Sequence, residues 1–142
     1  MTQATRLFTL EEAERTLPLV RRIVADLVAE HPGWRAGVSR YEALSLAASP
    51  DTGESAEMIE VRQDVARRAA RIDGFLHELE EIGCAFKGFD SGLVDFPSLR
   101  NDEPIYLCWQ LGEERIIAWH GMETGFDGRQ PIDDAILSGT GA

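Results

Sequence analysis

The sequence predicts an α+β fold, in which a long antiparallel helical hairpin of two or three helices is followed by a small antiparallel β-sheet. Apolar residues recur every three or four positions from Thr9 to Gly83, which is the spacing of one helix face. After Gly83 the spacing changes to every second residue, which is typical of strands. The 142 residues suit a single domain, with a helical layer over 8–83, a β-hairpin sheet over 84–125, and a tail over 126–142 that packs and then frays.

The first predicted helix begins after Thr9, because Thr9 and Glu12 match the S/T-x-x-E capping box. Pro18 interrupts the apolar pattern and favours a kink, with a short separate turn before it as the alternative. The HPG sequence at 31–33 predicts that the helix ends there, since proline disfavours the helical conformation of the residue before it. Residues 34–48 then form a second, shorter helix.

The longest predicted helix begins after Ser55, which can cap it, and ends at Gly83. The segment before it, SPDTGE at 49–54, is rich in turn-forming residues and predicts a loop. Apolar residues in this helix alternate at spacings of three and four, as in a coiled coil. Such a seam is most often used to pack helices within the chain, so we expect a helical hairpin.

Four short strands are predicted after Gly83. The first two, 84–86 and 93–96, flank the turn-rich sequence KGFDSG, and Pro97 predicts that pairing ends there. Residues 105–111 alternate cleanly between apolar and polar positions, and residues 116–121 form the hairpin partner across GEER.

One face of this last hairpin is predicted to be apolar and buried under the helices, and the other face polar. The apolar residues of both strands share a face if Leu107 pairs with Trp119. The other pairs that follow from this register are Trp109 with Ile117, Tyr106 with His120, and Cys108 with Ala118. The apolar face then consists of Ile105, Leu107, Trp109, Ile117 and Trp119.

The net charge of −11 is concentrated in the second half of the chain. Residues 1–71 contain 10 Arg and 11 acidic residues, whereas residues 72–142 contain 3 Arg and one Lys against 14 acidic residues. Such a field repels nucleic acid and anionic membranes, which bind proteins through Lys and Arg. We therefore expect no nucleic-acid partner and no membrane partner. The field would favour a metal cation, a basic protein surface or a cationic ligand, and the alternative is that the acidity only keeps the protein soluble.

The cellular location predicted is the cytoplasm. The N-terminus lacks the basic and apolar segments of a secretion signal, and no apolar run is long enough to span a bilayer. The two cysteines, Cys84 and Cys108, are isolated from each other and are expected to be reduced, half-buried thiols.

A candidate divalent transition-metal site lies on the polar face of the 105–121 hairpin. Its predicted ligands are His120, Glu123 and, from the neighbouring strand, Asp95, because imidazole and carboxylates form a workable set for such an ion. The same face carries Tyr106, Cys108 and Gln110 as a predicted binding face.

Two alternatives compete with that metal site. His120 can be an ordinary strand histidine that is hydrogen-bonded to Tyr106 or to a backbone carbonyl. A nucleophilic enzyme would need Cys108 within reach of His120, and the predicted register places Cys108 opposite an alanine. Whether the protein is an enzyme stays open at this point.

Two segments of the chain resemble a known family. The sequence GLVDFPSLRNDEPIYLCWQLGEERIIAWHGMETGFDGRQPI is similar to the signature of a bacterial family catalogued as domain of unknown function 2203, and FTLEEAERTLPLVRRI resembles the start of that family. The resemblance covers about 8–23 and 83–132. It implies a domain type and a bacterial setting, but no activity, substrate or catalytic residue.

The sequence therefore favours a soluble binding or structural module of unassigned activity. The alternative is a metal-binding protein or metal-dependent enzyme whose site is the polar face of the 105–121 hairpin. Because obligate oligomers bury long apolar helix seams, we also expect a homodimer formed through the first or third predicted helix.

Overall fold

A computed structural model describes residues 6–137 and confirms the predicted α+β fold, with two long antiparallel helices followed by a sheet. Helix α1 spans Leu10–Ala47 and helix α2 spans Ala56–Ile82. The predicted frayed end at 138–142 lies outside the described residues. None of the described helices is both long and apolar enough to cross a lipid bilayer.

Helix α1 begins as predicted but does not end where predicted. The Thr9 side chain accepts a hydrogen bond from the backbone of Glu12, whose carboxylate accepts one from the backbone of Thr9. The helix then continues through both Pro18 and Pro32. The predicted separate helix over 34–48 is therefore wrong, because these residues belong to the same 38-residue helix.

Packing explains why α1 continues through the HPG sequence. A proline inside a helix costs about 3 kcal/mol, and contacts with other elements can offset that cost. The ring of His31 stacks on the ring of Phe89 with 3.9 Å between centroids. Gly37 lets α2 approach closely, since a Cβ atom there would lie 2.7 Å from the side chain of Val65.

Both predicted ends of α2 are confirmed. The Ser55 side chain accepts a hydrogen bond from the backbone N–H of Met58, and the loop before it contains the predicted turn residues. Gly83 ends the helix in the left-handed conformation, at φ 112°. A side chain there would be strained, so glycine is the residue that fits this position.

The sheet is an antiparallel meander of five strands whose spatial order follows the chain order. Its strands are β1 (Ala85–Gly88), β2 (Leu93–Arg100), β3 (Glu103–Gln110), β4 (Ala118–Gly121) and β5 (Gln130–Pro131).

Pro97 does not end strand β2, contrary to the prediction. The strand continues to Arg100, and Pro97 lies opposite Tyr106 of β3. Strand β1 pairs only with residues 93–95, so the side of β2 facing away from β3 has no neighbouring strand at Pro97. The missing N–H of proline therefore breaks no ladder there, and the Pro97 carbonyl accepts a hydrogen bond from the Phe8 N–H at 2.8 Å.

The predicted register of the 105–121 hairpin is confirmed for three pairs of residues: Tyr106 with His120, Leu107 with Trp119, and Cys108 with Ala118. The fourth pair, Trp109 with Ile117, is wrong because β4 begins only at Ala118. Ile117 is 50% exposed, and its carbonyl accepts a hydrogen bond from the Ile132 N–H. Ile116 is buried in its place.

The tail after β4 contains a short 3-10 helix (Phe126–Gly128), strand β5 and helix α3 (Asp134–Leu137). Ile136 of α3 is buried in the core, whereas Leu137 is 63% exposed. The tail thus contacts the core through Ile136.

The main core lies between the helices and one face of the sheet, which we call the inner face. It combines Leu17, Val20, Val24 and Leu27 of α1 and Leu79 of α2 with Val94, Phe96, Leu107 and Trp109 of the sheet. We call the opposite side of the sheet the outer face. It carries Asp95, Tyr106, Cys108, Gln110 and His120, since these residues alternate with the inner-face residues or pair with one another.

Candidate metal centre

Three neighbouring strands bring Asp95, Cys108 and His120 together on the outer face, and we call these residues the outer-face cluster. Asp95 of β2 lies directly opposite Cys108 of β3. His120 of β4 lies opposite Tyr106, two residues from Cys108 on the same face. The three side chains therefore meet because antiparallel register and strand alternation both fix their positions.

The donor atoms of the outer-face cluster are close enough to share one ion. One carboxylate oxygen, one thiol sulfur and one ring nitrogen all lie within 4.8 Å of one another. A tetrahedral zinc with bonds of about 2.0–2.3 Å places its donors about 3.3–3.8 Å apart. The donors are therefore within about 1.5 Å of the spacing that zinc requires.

All three residues of the cluster are buried. Asp95 and His120 are each 3% exposed and Cys108 is fully buried, although they lie on the face opposite the main core. Buried ionisable groups are stable only when they are paired, hydrogen-bonded or bound to a metal. Each of these three buried groups therefore needs a bonding partner on the outer face.

The hydrogen bonds of His120 fix the direction of its ring. Nδ1 lies 2.8 Å from the carbonyl oxygen of Gly121, and because a carbonyl only accepts, Nδ1 is the donor. Nε2 lies 3.0 Å from Asp95 Oδ1 inside the cluster. Metal-binding histidines are usually oriented in this way, with one ring N–H held by a carbonyl and the other nitrogen facing the ion.

Cys108 is surrounded by groups with opposing effects on its charge. Burial raises the pKa of its thiol to about 12, and the nearby Asp95 carboxylate adds to that rise. The guanidinium of Arg129 acts in the opposite direction on the pKa of the same thiol. Without a metal, the thiol is therefore protonated at neutral pH, whereas a bound transition metal would deprotonate it outright.

Arg129 connects the tail to this region of the sheet. It lies between the 3-10 helix and β5, and its Nη2 donates to the Cys108 carbonyl at 3.3 Å. The same nitrogen lies 2.9 and 3.0 Å from the two carboxylate oxygens of Glu113 in the turn after β3. Both side chains are largely buried, at 16% and 17% exposure, so this ion pair is better shielded from water than a surface pair.

The other predicted site residues are less closely associated. The ring of Tyr106 is half-buried and lies 5.3 Å from the His120 ring, while Gln110 is half-buried at the end of β3. Glu123 lies in the exposed turn after β4, and it is not among the residues whose donor atoms meet within 4.8 Å. The role of Glu123 as a metal ligand stays a prediction. The third donor near Asp95 and His120 is the sulfur of Cys108.

The geometry does not form an Asp–His–Cys catalytic triad. Such a triad uses the two ring nitrogens differently, one for the carboxylate and one for the nucleophile. Here the Gly121 carbonyl holds Nδ1, and Nε2 already faces Asp95. The raised pKa of the Cys108 thiol also opposes a nucleophilic role at neutral pH.

Fold and cluster together define an α+β protein with a buried set of nitrogen, oxygen and sulfur donors on the outer face of its sheet. The chain belongs to the family described as uncharacterised conserved protein DUF2203, whose family model matches residues 6–132. The match confirms the resemblance seen in the sequence. No curated protein and no solved structure matches the chain.

Proposed function

We propose that the protein binds one divalent transition metal through Asp95, Cys108 and His120. The observation that carries the proposal is the convergence of three different donor atoms within 4.8 Å at a buried position. The orientation of His120, with Nδ1 held by the Gly121 carbonyl, supports it further.

The donor set favours zinc, or a metal of similar chemistry, over magnesium or calcium. Thiolate and imidazole are ligands of zinc and related transition metals, whereas magnesium and calcium prefer oxygen ligands. One carboxylate and one thiolate also balance the two positive charges of the ion. The site would then have no net charge, which lowers the cost of burying it.

A stabilising role accounts for the burial better than a catalytic role does. Catalytic zinc also has three protein ligands, but its fourth position is open to water or substrate. Here all three ligands are buried and belong to three neighbouring strands. A metal at this position would tie β2, β3 and β4 together, and metal that binds only the folded chain stabilises it.

Zinc is expected to raise the thermal unfolding midpoint of chelator-treated protein by several degrees, since a ligand at 100 times its Kd adds about 2.7 kcal/mol. Cys108→Ser should abolish this rise. Cys84→Ser is the matched control, because Cys84 is also a buried thiol but lies outside the cluster. Calorimetry with and without zinc, with magnesium as a second control, measures the effect; no zinc-dependent rise in the wild type would contradict the proposal.

The predicted homodimer is a second proposal, and the far half of the helical hairpin favours it. We call this half the arm; it consists of 35–47 of α1 and 56–71 of α2. No arm residue belongs to the buried core cluster, and Met58 is the arm's one buried hydrophobic residue among the described residues. Several apolar arm residues are only half-buried, and Leu46 is 88% exposed.

The charge distribution favours a second copy of the chain as the partner of the arm. The two arm segments contain six Arg and four acidic residues, a net charge of +2 in a chain of −11. Two arms lying antiparallel would bring their mixed charges together and keep the two acidic sheets at opposite ends. The result would be a symmetric four-helix layer of the kind that buries such hairpins.

Light scattering at tens of micromolar is expected to give twice the chain mass of 15.7 kDa. Leu46→Glu should shift the protein towards the monomer, because it places a charge on the arm. Leu19→Glu, at a 45% exposed position of α1 outside the arm, is the matched control and should leave the mass unchanged. A wild-type mass of one chain across this concentration range would contradict the dimer.

A further inference from the structure

Arg129 is the charged side chain that links the outer-face cluster to the tail. Its Nη2 donates to the carbonyl oxygen of Cys108, the residue that supplies the sulfur donor. Its partner Glu113 accepts a hydrogen bond from the Gln110 N–H at 2.8 Å, just beyond Cys108 in the chain. The Glu113 carbonyl also accepts from Trp109 Nε1, so the turn that carries Glu113 is itself fixed to β3.

These contacts form a clamp around the cysteine of the cluster. Arg129 holds the backbone of Cys108 from the tail side, and Glu113 holds Arg129 through both carboxylate oxygens. The clamp is largely buried, so its geometry is better defined than that of an exposed ion pair. Both contacts use Nη2, whose two N–H groups are fixed in direction by the planar guanidinium, whereas the ammonium group of lysine rotates freely.

On the basis of the proposed metal function, we propose that Arg129 is a positioning residue for the metal, which fixes the backbone of Cys108 and so the direction of its sulfur. Groups that hydrogen-bond to metal ligands and orient them contribute strongly to affinity. A cation beside a metal would normally oppose binding. Here the two anionic ligands neutralise the ion and Glu113 neutralises Arg129, so the repulsion is small.

Titration of chelator-treated protein with Co²⁺ tests this role, because a cobalt–thiolate bond gives a near-ultraviolet charge-transfer band that reports on the sulfur ligand. Arg129→Gln is expected to raise the Kd for cobalt about 10- to 100-fold, the usual cost of losing such an outer partner. The charge-transfer band should also move. Arg129→Lys should restore part of the affinity, since lysine keeps the charge that pairs with Glu113 but loses the fixed direction of the guanidinium N–H groups.

Arg68→Gln is the matched control, because Arg68 is also half-buried and pairs with carboxylates, those of Asp64 and Glu30, on the helices and not on the sheet. It should leave both the Kd and the band unchanged. Wild-type affinity and spectrum in Arg129→Gln would overturn the positioning role while leaving the metal site intact. If Arg129→Gln does not fold, the test rests on Arg129→Lys, and a Kd and a spectrum equal to those of the wild type in that variant would overturn the positioning role. If the wild-type protein itself gives no cobalt charge-transfer band, the metal site is overturned as well.

Discussion

His120→Ala is expected to lower the free energy of unfolding by about 3 kcal/mol even in the presence of a chelator, the upper end of the usual cost of leaving a buried polar group without its partner. The reason is that the substitution removes the partner of Asp95 at a position where both side chains are 4% exposed. Urea denaturation followed by circular dichroism measures the change.

His77→Ala is the matched control for this substitution. His77 also pairs with a carboxylate, that of Glu81, but its side chain is 70% exposed on α2. Its loss should change stability by less than about 0.5 kcal/mol, as surface substitutions usually do. Adding Asp95→Ala to His120→Ala should recover part of the loss, because the unpaired carboxylate is then gone. Equal effects of His120→Ala and His77→Ala would contradict the buried pairing.

Gly92→Ala is expected to destabilise the protein by about 3 kcal/mol, through backbone strain and overpacking together. Gly92 has φ of 65°, and a Cβ atom there would lie 2.8 Å from Leu111 and 3.0 Å from Val24. Gly92 therefore lies where the chain just before β2 passes close to α1. Chemical denaturation of the wild type and the variant gives the difference.

Gly53→Ala separates the two contributions to that loss. Gly53 has nearly the same φ, 67°, but a Cβ atom there would meet nothing within 4 Å. Its substitution should cost only the backbone strain, about 1 kcal/mol. If both substitutions lowered the free energy of unfolding by the same amount, the closeness of Leu111 and Val24 to Gly92 would not contribute to the loss.

Local signals predicted the elements whose causes are local. The Thr9 capping box, the Ser55 cap and the left-handed Gly83 each depend on a few adjacent residues, and all three are confirmed. The alternation in 105–111 also predicted most of the β3–β4 register. In these cases the residues that determine the structure lie close together in the sequence.

The two wrong predictions made from prolines share a different cause, which is the surroundings of each proline in the fold. Pro32 ends an isolated helix, but α1 continues because His31 stacks on Phe89 and α2 packs closely at Gly37. Pro97 ends a strand that has neighbours on both sides, but β2 loses no pairing there. Neither the helix contact nor the early end of β1 can be inferred from a proline and its neighbours.

The outer-face cluster could have been predicted more completely. Asn101 and Asp102 both have positive φ and form the two-residue turn between β2 and β3. Recognising that Asn-Asp turn would have fixed the register in which Asp95 lies opposite Cys108. The clamp formed by Arg129 and Glu113 had no such signal, because it depends on how the irregular tail returns to the sheet.

Zinc stoichiometry by native mass spectrometry tests the metal site most directly. Protein dialysed against chelator and then supplied with equimolar zinc is expected to carry one zinc per chain in the wild type and in Cys84→Ser. Cys108→Ser and His120→Ala should carry none, because each removes one of the three donors. Zinc-free wild-type protein, or zinc retained equally by all four proteins, would contradict a metal site formed by Asp95, Cys108 and His120.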